Sequence, residues 1–261
     1  MIDQDRFQEI VREAGRIAHS RWPGDGHALQ SWEKTPGNPV SEADLAVDVF
    51  LKRELGRLLP AAAWLSEETA DDKERTKSDL IWLVDPIDGT RDFVRGRMGW
   101  SVSVALISGG RPLIGMLAAP AREEEWFSVA GKGSTLNQSK LIASSRKEFA
   151  GARVPIDQLP KADSDLVVVE KPNSIALRIA MVADDRADMV GTLRWGFEWD
   201  IAAAALIARE AGAEVSDAFG DPLAYNKHDP RDFGVLVTSP HIHGNAVERL
   251  AERAERLKLN K

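Results

Sequence analysis

The sequence predicts a mixed α/β (α+β) protein, with strands and helices combined in both halves of the chain. Residues 80–84 form an unbroken apolar run, which is typical of a strand buried on both faces. Residues 100–107 and 112–118 flank a Ser-Gly-Gly-Arg turn and predict an antiparallel hairpin. Residues 200–212 begin with an acid, continue as an alanine-rich body and end with glycine, which predicts a helix.

The remaining elements follow from the period of the apolar residues and from the positions of turn formers. Helical spacing predicts helices at 3–21, from Ser41 onward, at 174–183 and at 244–257. Asp44, three residues after Ser41, brings that helix start close to a capping box. Short strands are predicted at 62–65, 124–129, 166–169, 187–190 and 234–238, and loops at 22–40 and 71–78.

Length and apolar content allow one domain or two tightly packed halves. The chain has 261 residues, of which 43% are hydrophobic, enough for a large core. We expect an αβ subdomain at 1–140 with most of the candidate ligands, and a second at 141–261 that contributes Asp200. Because no flexible linker marks the boundary near residue 140, the two are expected to form one compact unit.

Charge and composition exclude several classes of function. A net charge of -7 argues against binding a nucleic acid polymer or an acidic membrane through bulk electrostatics. The chain has no cysteine, which excludes disulfides, zinc–thiolate sites, iron–sulfur clusters and a cysteine nucleophile. The N-terminus lacks an apolar signal region and no stretch is long enough to span a bilayer, so a cytoplasmic location is expected.

The strongest chemical signal directly follows the apolar strand. It reads Asp85-Pro86-Ile87-Asp88-Gly89-Thr90. The two carboxylates, three residues apart at a strand end, can converge on one cation, and the carbonyl of Ile87 can supply a third oxygen. The amides of Gly89 and Thr90 can face a phosphate. The alternative is a polar turn in which the acids accept hydrogen bonds from backbone amides.

Three further acidic sites have both a functional and a structural interpretation. Glu67 and Glu68 follow a strand, and two adjacent acids cannot both face a core without cations. Otherwise they are a solvated surface pair. Asp200 is either a helix N-cap, a metal ligand or both. Asp44 is otherwise a first-turn acid stabilised by the helix dipole.

Together these acids predict a metal site made only of oxygen ligands. Such a site selects Mg²⁺, Mn²⁺ or Ca²⁺ over zinc. The histidines form no ligand pattern, and His241 and His243 are interpreted as surface or structural residues. Gly131-Lys132-Gly133-Ser134 lacks the leading glycine of a P-loop, which leaves ATP binding unsupported.

The order of these elements resembles the inositol monophosphatase family, which includes 3'(2'),5'-bisphosphate nucleotidases and relatives of fructose-1,6-bisphosphatase. The resemblance runs from about residue 35 to 240 and rests on Asp44, Glu67-Glu68, Asp85-Pro86-Ile87-Asp88-Gly89-Thr90 and Trp199-Asp200-x-Ala202-Ala203. It implies a layered αβαβα sandwich of the sugar-phosphatase type. It also implies a homodimer and inhibition by lithium.

The resemblance assigns roles to individual residues. Glu67, Asp85 and the Ile87 carbonyl are expected to hold one Mg²⁺ ion, and Asp85, Asp88 and Asp200 a second. A third, weaker ion is expected near Asp44. Asp44, Glu67 and Thr90 are the expected catalytic residues, which orient the attacking water and relay its proton. Asp88, Gly89, Thr90 and Asp200 are expected to bind the substrate, a small phosphorylated metabolite.

Departures from the family pattern bear on the substrate. Leu193 stands where inositol-specific relatives carry an acid, and Ser66 and Ala204 replace frequent glycines. The segment around Glu198 instead resembles the 3'(2'),5'-bisphosphate nucleotidase branch. That branch is therefore favoured over phosphatases for inositol 1-phosphate, histidinol phosphate or fructose 1,6-bisphosphate.

Some residues, and the protein class itself, have alternative interpretations. Lys171, Arg194 and Lys227 can meet a second phosphate or be solvated surface cations. The rival class is a non-catalytic protein that binds metal or phosphate. A Mg²⁺-dependent phosphotransferase is disfavoured by the missing nucleotide loop.

Overall fold

The computed structural model describes residues 2–259, apart from the side chain of Asn38. The helices are α1 Gln4–His19, α2 Glu42–Leu58, α3 Thr90–Val94, α4 Ile175–Ala183, α5 Glu198–Ala211 and α6 His243–Leu259. The strands of the first half are β1 Ser31–Thr35, β2 Asn38–Ser41, β3 Ala63–Ser66, β4 Leu80–Asp88, β5 Ser101–Ser108, β6 Arg111–Ala119, β7 Glu124–Val129, β8 Ser134–Leu136 and β9 Ser139–Lys140. Those of the second half are β10 Arg153–Pro155, β11 Val167–Val169, β12 Met189–Gly191, β13 Trp195–Phe197, β14 Glu214–Ser216, β15 Arg231–Phe233 and β16 Leu236–Thr238.

A large sheet joins β3 to β9 in chain order, with β3 and β4 parallel and the other neighbours antiparallel. Helices α1 and α2 cover one face, where Trp82 and Val84 of β4 are buried. Helices α4 and α5 cover the other face, where Ile81 and Leu83 are buried. This alternation confirms the prediction that the 80–84 run is a strand buried on both faces.

A smaller sheet of order β12-β16-β14 lies on the far side of α4 and α5. Val237 of its central strand belongs to the α4–α5 core, whereas the adjacent Leu236 packs with Ala246 and Leu250 of α6. The layers therefore run helix, sheet, helix, sheet, helix. The predicted αβαβα sandwich is confirmed.

Capping groups begin and end the helices near the predicted residues. The Asp3 side chain accepts a hydrogen bond from Arg6 N at 3.0 Å and starts α1. Ser41 and Asp44 form the capping box that starts α2. Gly212, with φ of 102°, ends α5 in the left-handed conformation that favours glycine.

Several elements differ from the sequence prediction. Strand β4 does not stop at Asp85 but continues to Asp88, because an irregularity in its pairing with β5 accommodates Pro86. The predicted loop at 22–40 contains the β1–β2 hairpin, whose first strand is exposed and so lacks an apolar pattern. Strands β13 and β15, also missed, are three-residue segments that pair with each other.

The α4–α5 core draws on residues from both sides of residue 140, such as Leu83 and Ala205. The subdomain boundary at that position stays a prediction. Within residues 2–259, no helix is both long enough and apolar enough to cross a lipid bilayer.

Candidate active site

Two parallel strands of the large sheet bring the first acids together. Ser66, the last residue of β3, pairs with Val84 of β4, and Glu67 N donates a hydrogen bond to Val84 O at 3.2 Å. Glu67, which directly follows β3, therefore lies beside Asp85 near the carboxyl ends of two neighbouring parallel strands.

Helix α5 adds the acid from the second half of the chain. Asp200 is the third residue of α5, and its carboxylate accepts a hydrogen bond from Phe197 N at 3.4 Å. Phe197, and not Asp200, is the N-cap residue of this helix. Ser103, the β5 partner of Asp85, donates its hydroxyl to Trp199 O at 3.4 Å and so fixes the start of α5 beside β4.

Glu67, Asp85 and Asp200 form a cluster in which one carboxylate oxygen from each lies within 4.8 Å of the other two. Burial raises the pKa of Asp85 and Asp200 well above its ordinary value, and repulsion between the acids raises it further. The pKa of Glu67 is raised to about 7 for the same reasons, although Lys34 Nζ lies 3.5 Å from its carboxylate. This donor set fits a hard divalent cation.

The neighbouring Glu68 is accommodated differently. Its side chain is 4% exposed and forms an ion pair with Lys34 of β1. Of the two adjacent acids, Glu67 faces the cluster and Glu68 faces a lysine. The two adjacent acids are therefore not buried together without a cation, because Lys34 pairs with Glu68.

Asp88 lies beside the cluster, held by the N-terminus of α4. Its carboxylate accepts hydrogen bonds from Ala176 N at 2.7 Å and Ile175 N at 3.3 Å, and from the Ser174 hydroxyl. Burial raises its pKa, while these hydrogen bonds act in the opposite direction. Asp88 thus lies at the site, but it is not one of the three acids that cluster within residues 2–259.

Thr90 connects the motif of β4 to Asp44. Its hydroxyl lies 2.9 Å from Ile87 O and 3.3 Å from a carboxylate oxygen of Asp44. The other Asp44 oxygen accepts hydrogen bonds from Ser41 N at 2.8 Å and Ser41 Oγ at 2.6 Å. Burial raises the pKa of Asp44 to about 6 despite these bonds. The Asp44–Thr90 pair predicted from the sequence is therefore in contact.

Gly89 makes the turn between β4 and α3. Its φ is +93°, and a Cβ built there would lie 2.6 Å from Gly99 O and 2.9 Å from Ser174 N. Both contacts are with backbone, which cannot move aside as a flexible side chain can. Only glycine fits, and the tight turn fixes the position of Thr90.

An open pocket of about 590 Å³ lies over these acids. Its lining also includes four cations, Arg91, Lys171, Arg178 and Arg194. Arg178 is engaged by the backbone oxygens of Asn173 and Ser174, and Lys171 by Asp157. The Arg194 guanidinium makes no hydrogen bond or ion pair in the described part of the chain, but its charge acts on the Asp200 carboxylate.

Lys227, the third cation considered from the sequence, lies elsewhere. Its ammonium pairs with Asp232 and approaches Glu198 at 3.5 Å. Sequence reasoning missed Arg178 and Phe197, which line the pocket, and Ser174, which donates to Asp88. Ser174 was recognisable only as a helix start.

The sequence model of the inositol monophosphatase family matches residues 4–258. The chain belongs to the inositol monophosphatase family. Members of this family are metal-dependent phosphatases that act on phosphate monoesters.

Relatives with different named substrates are about equally similar to this family member. An inositol-1-monophosphatase from Mesorhizobium japonicum is 33% identical, over 94% of either chain. A 3'(2'),5'-bisphosphate nucleotidase, CysQ, from Shigella flexneri is 29% identical, over 86% of this chain and 94% of its own. The solved inositol monophosphatase of Thermotoga maritima has a TM-score of 0.82 and 26% identity, over 97% of this chain and 99% of its own.

Proposed function

We propose that the protein is a Mg²⁺-dependent phosphomonoesterase that hydrolyses a small phosphorylated metabolite. The observation that carries the proposal is the cluster of Glu67, Asp85 and Asp200, whose carboxylates lie within 4.8 Å of one another. Lys34 and Arg194 act on these acids, yet the pKa of all three acids stays raised, so their charge is not fully compensated at the base of the pocket. Divalent cations would neutralise the acids and at the same time attract a phosphate.

The proposed ligands divide between two ions. Glu67, Asp85 and the Ile87 carbonyl would hold one, and Asp85, Asp88 and Asp200 the other, with a weaker third near Asp44. Asp88 would keep its hydrogen bonds from α4 while offering its remaining lone pairs. The bound ions supply Lewis-acid chemistry, since they lower the pKa of water and neutralise charge on the phosphoryl group and the leaving oxygen.

The protein groups then position and deprotonate the attacking water. Thr90 lies between Ile87 O and Asp44, so its hydroxyl can accept a hydrogen bond from water while donating its own proton. Asp44 and Glu67 are the carboxylates within reach to take that proton. The amides of Gly89 and Thr90 are proposed to bind phosphate oxygens at the β4–α3 turn.

The Arg194 guanidinium, which makes no hydrogen bond or ion pair within residues 2–259, favours a substrate with a second anionic group. Arg194 lines the same pocket as the acids, with Lys171 nearby on its rim. We therefore favour a 3'(2'),5'-bisphosphate nucleotide over inositol 1-phosphate. Leu193, where inositol-specific relatives carry an acid, cannot bind ring hydroxyls. Inhibition by lithium and a homodimer rest on the family resemblance and form part of the proposal, as does the expected cytoplasmic location.

A phosphate-release screen with and without Mg²⁺ tests the assignment. The panel would contain 3'-phosphoadenosine 5'-phosphate, inositol 1-phosphate, fructose 1,6-bisphosphate and histidinol phosphate. We expect Mg²⁺-dependent release from at least one compound, fastest with the first, and inhibition by lithium. Turnover that persists in excess EDTA would contradict the metal mechanism.

The role of Arg194 is tested by Arg194→Gln, with Arg111→Gln, at an exposed residue that begins β6, as the matched control. Loss of a charge-assisted contact is expected to raise the KM for the bisphosphate by about tenfold. The KM for a monophosphate should change less, and Arg111→Gln should change neither. Equal effects of Arg194→Gln on both substrates would count against a second-phosphate contact.

A further inference from the structure

The pocket has an aromatic wall next to its acidic base. The rings of Phe197 and Trp199 are stacked, with centroids 4.3 Å apart and planes inclined by 6°. Trp199 is buried at 8% exposure, whereas Phe197 is 40% exposed and lines the pocket. Because Trp199 covers one face of the Phe197 ring, the exposed part is the opposite face and the edge.

The backbone holds this wall in a fixed position relative to the acids. Phe197 ends β13 and pairs with Arg231 of β15, while Glu198 N donates to Pro230 O at 2.9 Å. Phe197 N also donates to the Asp200 carboxylate at 3.4 Å. A ligand group resting on the Phe197 ring would therefore keep a defined position relative to a phosphate bound over Asp200.

The chemistry of the wall favours one class of ligand. An exposed phenyl face cannot exchange hydrogen bonds with the hydroxyls of a polyol, but it can stack with a planar aromatic ring. Any nucleobase can stack on an aromatic side chain, since every base has a π face. An accessible phenyl ring within a pocket otherwise lined largely by charged groups is explained by such a contact.

We propose that Phe197 is a specificity-determining residue whose exposed face stacks with the base of a nucleotide substrate. This inference rests on the proposed phosphomonoesterase function and narrows its substrate class to nucleotides. Trp199 supports the ring from behind, and Asp200, three residues from Phe197, anchors the wall to the reacting end of the pocket.

The test compares two substrates that differ only in the base, adenosine 3',5'-bisphosphate and the base-free ribose 3,5-bisphosphate. We expect the wild-type protein to prefer the nucleotide by its kcat/KM. Phe197→Leu should lower that preference by about tenfold, mainly through the KM of the nucleotide. Phe197→Tyr keeps an aromatic face and should retain the preference. Phe50→Leu, which removes a partly buried phenyl ring on α2, is the control and should not alter it.

Two results would overturn the inference. One is a wild-type protein that hydrolyses the base-free compound, or inositol 1-phosphate, as well as the nucleotide. The other is a Phe197→Leu variant that loses activity equally on both members of the pair, because the residue would then act only on the position of α5. A Phe197→Tyr variant with the same loss as Phe197→Leu would lead to the same conclusion. In either case, Mg²⁺-dependent phosphate release would leave the phosphomonoesterase assignment standing. Failure of that assignment would appear instead as no metal-dependent release from any compound.

Discussion

Asp188 and the acids of the Glu67–Asp85–Asp200 cluster are buried in opposite electrostatic surroundings. Asp188, 1% exposed, accepts hydrogen bonds from Arg153 Nε at 3.0 Å and Arg153 N at 2.8 Å, and from the Ser144 hydroxyl. Burial acts to raise its pKa, but these bonds outweigh burial and the pKa is lowered. Asp85, 2% exposed, accepts a hydrogen bond from Ile87 N, and the pKa of its carboxyl is raised by burial and by neighbouring acids.

The difference shows where the fold supplies a counter-charge and where it does not. Asp188, which lies outside the pocket, is matched by an arginine, since an unpaired buried charge is costly. At the Glu67–Asp85–Asp200 cluster, Lys34 lies 3.5 Å from Glu67 but is mainly engaged by Glu68, and Arg194 acts on Asp200 through its charge. The missing positive charge at the cluster is what a divalent cation would provide.

The largest expected effect comes from Asp85→Asn, which is nearly isosteric but removes the acid proposed to be shared by two ions. Phosphate release at saturating Mg²⁺ should fall at least about 100-fold. In EDTA the melting temperature should be unchanged or higher, because one of the mutually repelling charges is gone. Phosphate-release kinetics and thermal melts measure the two effects. A variant that melts lower in EDTA would show that the cluster is stabilising without metal.

The matched substitution Asp188→Asn should have the reverse signature. It leaves the buried part of Arg153 without its carboxylate, and we expect a loss of about 2 kcal/mol in the free energy of unfolding. Activity of the folded variant should stay at the wild-type level, because Asp188 does not line the pocket. Urea denaturation and phosphate-release assays below the transition would check this. Unchanged stability would remove the contrast between the two groups of acids.

A smaller effect is expected on the pH dependence of stability. The pKa of Asp44 is raised from 3.8 to about 6 and that of Glu67 from 4.5 to about 7. An acid whose folded-state pKa is raised favours folding at low pH, and that contribution is lost as pH rises through the folded-state pKa. These two acids should therefore lower the melting temperature in EDTA as the pH rises from about 4 to about 7, by about 2–4 °C for each kcal/mol.

Asp188 has the opposite sign, since its lowered pKa gives stability that is lost only as the pH falls below its ordinary range. Added Mg²⁺ should cancel the loss at high pH, because the ions bind the ionised acids. Melting scans over pH, with EDTA and with Mg²⁺, distinguish the two groups. A curve in EDTA that rises throughout, with no response to Mg²⁺, would contradict the interpretation of the cluster.

The metal-binding half of the site was predictable from sequence because its signals are local. Asp85 and Asp88 follow an apolar strand within one short motif, and Asp200 begins an alanine-rich helix. The layer order required the family resemblance, since a strand's sequence does not state which sheet it joins.

The substrate-facing half was not predictable in the same way. Phe197 lies on a three-residue strand whose partner, β15, is more than thirty residues away, so neither its exposure nor its stacking on Trp199 has a local signal. Arg178 reaches the pocket because the N-terminus of α4 docks on Asp88, through contacts of Ser174 and Ala176 with an acid 86 or more positions away. Lys227 and Arg194 were indistinguishable in sequence, but only Arg194 faces the pocket.

The most direct test of the central claim is a calorimetric titration with Mg²⁺ at about pH 6 and about pH 8, in buffers of different ionisation enthalpy. If the acids of the cluster form a site for a divalent cation, the wild-type protein will bind Mg²⁺ and release protons. More protons should be released at the lower pH, because Glu67 has a pKa of about 7 without metal. Asp85→Asn should lose most of this binding. Wild-type protein that shows no Mg²⁺ binding, or binding with no buffer-dependent proton release at the lower pH, would contradict the account.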